Sequence, residues 1–251
     1  MPSPSATSPA PPVQVIAMHG WGGDSRGWSP WSQATASLGW SWDCGDRGYG
    51  RLEPRQPSWR PQGLRLLIGH SMGPHLLPAQ LWAEADLVVL LASFSRFVPP
   101  GAAGRRQETA LRGMLQRLQP CEPLEPEASQ AQRAQAMLQE FLVEAAAPAS
   151  PAQLPLGPAE TPIAAVGRQL LRQDLERLAS CQDLPSGFPE RRPVLLVEAG
   201  ADRIVVEEAR ALLRQRLPHA DRILLPEAGH ALLDSELIPA VLEWVQGQIP
   251  P

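Results

Sequence analysis

Leu64-Arg65-Leu66-Leu67-Ile68-Gly69-His70-Ser71-Met72-Gly73-Pro74 is the stretch on which the fold turns. Leu64–Ile68 reads as a buried strand, and the residues after the glycines, Pro74–Ala83, carry the apolar spacing of a helix. Between them lies G-x-S-x-G. A serine hydroxyl is a poor nucleophile unless it is exposed, held and placed beside a base. A sharp strand-to-helix bend supplies the exposure, with glycines where side chains would collide. The five residues alone also fit a glycine-rich turn around a structural serine. Their place between a strand and a helix makes Ser71 a candidate nucleophile.

On the N-terminal side, Val13–Met18 is a β-branched, apolar strand that runs into His19-Gly20-Trp21-Gly22-Gly23. A helix is expected around Ser29–Leu38. A short strand at Trp40–Cys44 is closed by Asp46-Arg47-Gly48-Tyr49-Gly50. On the C-terminal side, Leu87–Ala92 is apolar almost throughout, as strands covered on both faces are. From residue 95 to 189 the texture changes to Gln, Ala, Arg, Glu and Pro. Helices are predicted over Arg105–Gln119, Gln130–Ala145 and Pro162–Ser180, with a proline-rich connection at Pro148–Pro162. Strand and helix then alternate again, with Val194–Val197, Glu207–Arg216, Ile223–Leu225 and Ser235–Gln248. Such alternation predicts a parallel sheet with helices on both faces, built from residues 13–94 and 190–251. Residues 95–189 are expected to form a helical cap inserted over the carboxyl edge of the sheet, where ligands bind in such folds.

Composition narrows the field. The 251 residues are 43% hydrophobic and 19% charged, enough for a sizeable core. A net charge of −4 argues for neither nucleic acid nor an anionic membrane as partner. All 22 basic residues are arginine, so no lysine is present to form a Schiff base. Cys44, Cys121 and Cys181 are scattered, which speaks against a disulfide framework or a structural zinc site. Residues 1–12, rich in Pro, Ser and Ala, are expected to form a disordered tail without signal-peptide character. No apolar run approaches the ~20 residues of a membrane span. A cytoplasmic, monomeric protein without metal or organic cofactor is the expectation.

Three further signals join Ser71. In His19-Gly20-Trp21-Gly22-Gly23, the Trp21 N–H can serve with that of Met72 as an oxyanion hole, a pair of donors worth ~3–4 kcal/mol each. In Gly200-Ala201-Asp202-Arg203-Ile204-Val205, Asp202 stands at a strand's carboxyl end and can fix a histidine's tautomer. It can equally cap the next helix. In Ala228-Gly229-His230-Ala231, His230 comes after the next strand. The order Ser71, Asp202, His230 places nucleophile, acid and base at successive strand ends. His75, one turn into the helix after Ser71, could line the pocket with Trp21. His19 and His70 read as loop-packing residues, and the other tryptophans as core or surface filler.

Together H-G-W-G, D-R-G-Y-G, G-H-S-M-G, G-A-D-R-I-V and A-G-H-A resemble the α/β-hydrolase superfamily over the whole chain after the tail. Within it the chain is most similar to the pimeloyl-[acyl-carrier protein] methyl ester esterases of biotin synthesis. That likeness rests on H-G-W-G, G-H-S-M-G, the phrase L-L-A-S-F-S-R-F, and the cap phrases L-R-G-M-L-Q-R-L and A-M-L-Q-E-F-L. The resemblance implies a doubly wound, mostly parallel sheet, from which this chain is expected to depart in lacking the family's first hairpin. It also implies hydrolysis of a methyl ester carried on acyl carrier protein through a Ser71 acyl-enzyme. Other small-ester, thioester or C–C bond hydrolases share the triad, and a non-catalytic ligand-binding protein on the same fold is the alternative from another class. Carrier proteins are acidic. Arg105, Arg106 and Arg112 lie in a stretch with a single acid, Glu108, and are candidate carrier contacts. A solvated helix face accounts for them equally well.

Overall fold

The computed structural model describes residues 12–119 and 125–249. Residues 1–11 of the expected tail, and Cys121, lie outside them. Six strands form one sheet: β1 (Val13–Met18), β2 (Ser41–Gly45), β3 (Leu64–His70), β4 (Leu87–Leu91), β5 (Val194–Ala199) and β6 (Asp221–Leu225). Their order is β2-β1-β3-β4-β5-β6, and every pairing is parallel. The chain steps outward from β1 to β2 and then returns past β1 to β3. The strand order therefore reverses between β1 and β3, which opens a crevice at their carboxyl ends. The loop after β1 begins at His19, and the turn after β3 holds Ser71, so both signals fall at this crevice.

Period-two alternation sorts each strand between two cores. Ile16, Met18, Leu67, Val88, Leu90 and Leu196 face one side, and Val15, Ala17, Leu66, Ile68, Val89 and Val197 face the other. The second core is closed by α1 (Ser29–Ala34) and the terminal helix Leu237–Gln248, through Trp31, Leu237, Val241 and Val245. The first is closed by α2 (Gly73–Leu76), α3 (Ala79–Ala83) and, later in the chain, the helix Glu207–Arg216. The inserted helices α4 (Ala102–Arg117), α5 (Glu127–Ala146) and α6 (Ala165–Ser180) add Leu111, Leu138, Leu171 and Leu175 to this same cluster. The insertion thus shares a continuous apolar core with the sheet. We number Glu207–Arg216 α7 and Leu237–Gln248 α8.

Two expected helices are each broken. Pro74–Ala83 divides into α2 and α3, because Leu77 precedes Pro78 and takes extended backbone (φ −90°, ψ 146°). Ser29–Leu38 becomes α1 and then a 3₁₀ turn at Ala36–Leu38, which Gly39 ends in the left-handed conformation at φ 69°. Among the described residues no helix is long and apolar enough to cross a membrane.

Candidate active site

The turn at Ser71 is held in a conformation that L-residues avoid. Ser71 has φ of 53°, at a cost of order 1–3 kcal/mol. Neighbouring strand β4 enforces it: the Ser71 N–H donates to Leu91 O at 2.8 Å, and Ser71 O accepts from Ser93 Oγ at 2.7 Å. Both glycines of G-x-S-x-G permit close packing. A Cβ on Gly69 would lie 2.6 Å from Pro74 Cγ, and one on Gly73 would collide with the Met18 carbonyl at the end of β1.

Three loops bring the polar groups together. His230, in the loop after β6, sets Nε2 2.9 Å from Ser71 Oγ and Nδ1 2.9 Å from Asp202 Oδ2. Asp202 Oδ1 accepts from the N–H groups of Ile204 and Val205 at 2.8 and 2.9 Å. The carboxylate therefore holds its own turn with one oxygen and faces His230 with the other; α7 starts after Val206 with no side-chain cap, so Asp202 does not cap that helix as the sequence also allowed. Burial opposes its ionisation, but the adjacent His230 ring and the two amides outweigh burial and keep its pKa below the ordinary carboxylate range. The His230 main chain is held on two sides. His70 Nε2 lies 2.9 Å from His230 O, and the next N–H, of Ala231, donates to Ala145 O of α5 at 2.8 Å. Ser71 and His230 are 6% and 2% exposed, so the arrangement is largely shielded from bulk water.

Gly20 abuts the nucleophile: a Cβ there would be 2.9 Å from Ser71 Cβ. The N–H groups of Trp21 and Met72 find no acceptor among the described residues, which leaves both available to an oxyanion in front of Ser71. A cavity of about 520 Å³ opens beside Ser71 and His230. Its walls are mainly apolar, with Trp21, Phe141, Leu142, Leu154, Leu232 and Ile238 among them. Trp21 and Phe141 meet edge to face, ring centroids 4.9 Å apart. The arrangement can take a proton from a serine, hold the resulting imidazolium against a carboxylate, and receive an apolar acyl chain.

The structure corrects one expectation about the cavity wall. His75 does not line the cavity. It stacks on Phe94 with centroids 5.0 Å apart, sets Nε2 3.1 Å from Phe94 O, and meets Cys181 Sγ. The break after Leu76 confines α2 to one turn, on which His75 faces the first core. Trp28 and Trp31, read as core or surface filler, are core residues as expected, and they also border the cavity with Trp21. Sequence reasoning also passed over Arg47, Tyr49 and Asp174. Asp174 is 1% exposed and takes Arg47 Nε and Nη2 at 2.6 and 3.0 Å and the Tyr49 hydroxyl at 2.7 Å. The D-R-G-Y-G phrase was a signal for this cluster, but its partner on α6 has no sequence mark. Arg105, Arg106 and Arg112 are exposed on α4, and none has an acidic partner among the described residues. No group of three or more His, Cys, Asp or Glu among the described residues could hold a metal ion.

Burial depresses the pKa of three histidines: His70 and His75 fall to about 4, and His19 is also lowered. An unfolded histidine takes up a proton near pH 6.5, and these folded ones do not. The stability that His70 and His75 contribute is complete above pH 6.5 and is lost as pH falls toward 4, each by up to about 1.4 kcal/mol per pH unit, and His19 acts in the same direction. Tm should therefore fall steadily between pH 7 and pH 5 in a thermal melt series. A flat profile over that range would contradict the assignment.

No family model matches the chain, and no curated protein does. Solved structures do. The esterase EaEST from Exiguobacterium antarcticum superposes with a TM-score of 0.69 at 14% identity, over 94% of this chain and 93% of that one. The hydrolase olei00960 from Oleispira antarctica gives 0.62 at 12% identity, over 94% and 92%. The enol-lactonase from Burkholderia xenovorans gives 0.61 at 16% identity, over 94% and 92%. The sheet order and these superpositions agree: the chain has the α/β-hydrolase fold.

Proposed function

We propose that this chain is a serine carboxylic-ester hydrolase, and that its substrate is the methyl ester of pimeloyl-[acyl-carrier protein] in biotin synthesis. The observation that carries the hydrolase reading is the relay from Ser71 Oγ through His230 to Asp202, with both links at 2.9 Å, opening into an apolar cavity. His230 takes the Ser71 proton as the oxygen attacks the ester carbonyl, and the Trp21 and Met72 amides hold the oxyanion. His230 then protonates departing methanol, and water repeats the sequence on the acyl-enzyme. Asp202, buried and accepting three hydrogen bonds, stays ionised throughout. No metal or organic cofactor enters these steps.

The finer substrate reading rests on the sequence resemblance, with support from the apolar walls around Trp21 and Phe141 and from Arg105, Arg106 and Arg112, which have no acidic partner among the described residues, as a face for an acidic carrier. The reading places the protein in the cytoplasm, as a monomer. The test supplies the gene to a biotin-requiring strain that lacks its own esterase. Wild type should restore growth and Ser71→Ala should not. In parallel, Ala at all three arginines should lower turnover of the carrier-bound ester and spare p-nitrophenyl esters. Failure of wild type to restore growth removes the biotin assignment, and equal losses on both esters remove the carrier face.

A further inference from the structure

The oxyanion peptide of Trp21 is tied to the inserted helix α6 along a continuous polar route. Asp174 of α6 holds Arg47 through two hydrogen bonds and the Tyr49 hydroxyl through a third. The Arg47 main-chain N–H in turn donates to His19 Nε2 at 3.0 Å. An N–H donor at Nε2 requires a lone pair there, so the proton of neutral His19 sits on Nδ1. Nδ1 lies 2.8 Å from Gly20 O and donates to it. The Gly20–Trp21 peptide is trans, so its C=O and N–H point in opposite directions. Fixing Gly20 O against His19 therefore fixes where the Trp21 N–H points. The Trp21 indole is tied to the same helix, since Nε1 donates to Leu171 O at 2.9 Å.

We propose that Asp174 and His19 are positioning residues, which aim the Trp21 N–H at the oxyanion by clamping the peptide's other face from helix α6. The helices over the site would then set a donor on which the rate depends, in addition to enclosing the substrate. The inference rests on the hydrolase reading of Ser71. Burial lowers the pKa of His19, which favours the neutral ring that this bonding needs. The Gly23 N–H also reaches Gly20 O, at 3.2 Å, so a loop without the histidine keeps one weaker restraint.

Two amide variants separate positioning from packing. His19→Asn sets a side-chain N–H where Nδ1 stood and can still reach Gly20 O. His19→Gln reaches the Nε2 position and can meet Arg47, but leaves Gly20 O with only the longer Gly23 N–H. Loss of an aimed oxyanion donor costs about 10²-fold in kcat. We expect that loss for His19→Gln with KM within about twofold, against roughly threefold or less for His19→Asn. Asp174→Asn should lower kcat by about tenfold. The double variant Asp174→Asn/His19→Gln should be no slower than His19→Gln alone, because the two changes cut one route. Assays are run with p-nitrophenyl butyrate at least ~15 °C below the lowest Tm of the set, clear of the unfolding transition for a domain of this size. Equal kcat for the Asn and Gln variants, or losses that multiply in the double variant, would overturn the proposal. If wild type itself neither hydrolyses the ester nor takes a fluorophosphonate label at Ser71, the hydrolase reading has failed instead.

Discussion

Ser71→Ala should lower kcat for ester hydrolysis by about 10⁴- to 10⁶-fold, with the fold intact. The hydroxyl is the only group the change removes, and it is the atom 2.9 Å from His230 Nε2. A companion variant tests the strain at the same position. With φ at 53°, Ser71 occupies backbone space that glycine enters freely and alanine does not. Ser71→Gly should therefore be more stable than Ser71→Ala by about 1 kcal/mol while being just as inactive. The comparison is clean because neither variant carries the hydroxyl. Denaturant unfolding of the two, beside a rate assay, checks both halves. Activity within tenfold of wild type in either variant would remove Ser71 as nucleophile.

Asp202→Asn should cost about 10⁴-fold in kcat, for a reason specific to how Asp202 is bonded. Oδ1 accepts from the Ile204 and Val205 N–H groups, which only an oxygen can do. The asparagine is thereby oriented, with its NH₂ toward His230 Nδ1. Two N–H groups cannot face one another there. His230 must place its proton on Nε2, where it can no longer accept one from Ser71. The loss should fall on kcat, with KM within a few-fold, and the thermal melt should move little, since the turn keeps both amide bonds. A modest loss of tenfold or less would mean that the carboxylate serves the turn and not the histidine.

Much of the candidate site was legible along the chain because its residues stand at strand ends. Buried strands are recognisable as apolar runs, and Ser71, Asp202 and His230 each come soon after one, so order alone brought them to one edge. The glycines around Ser71 were legible for the same local reason: the elbow has no room for side chains against Pro74 and Met18. His75 shows where such reasoning fails. A helix continued from Pro74 to Ala83 would have presented it differently, but Pro78 forces Leu77 into extended backbone and ends α2 after one turn. Trp28 and Trp31 could not be told from ordinary core, because apolar character is the same whether a ring meets another side chain or a cavity.

Local sequence was enough to mark the strands, the elbow at Ser71, and Asp202 and His230 as candidate acid and base, since each is recognised from residues a few positions away. Their surroundings came only with the folded chain. Asp174 reaches Arg47 across 127 positions of chain, and Ala145 meets the loop of His230 from another helix. Such contacts carry no local periodicity or spacing to read. They exist only once the helices of the insertion have packed into the same core as the sheet.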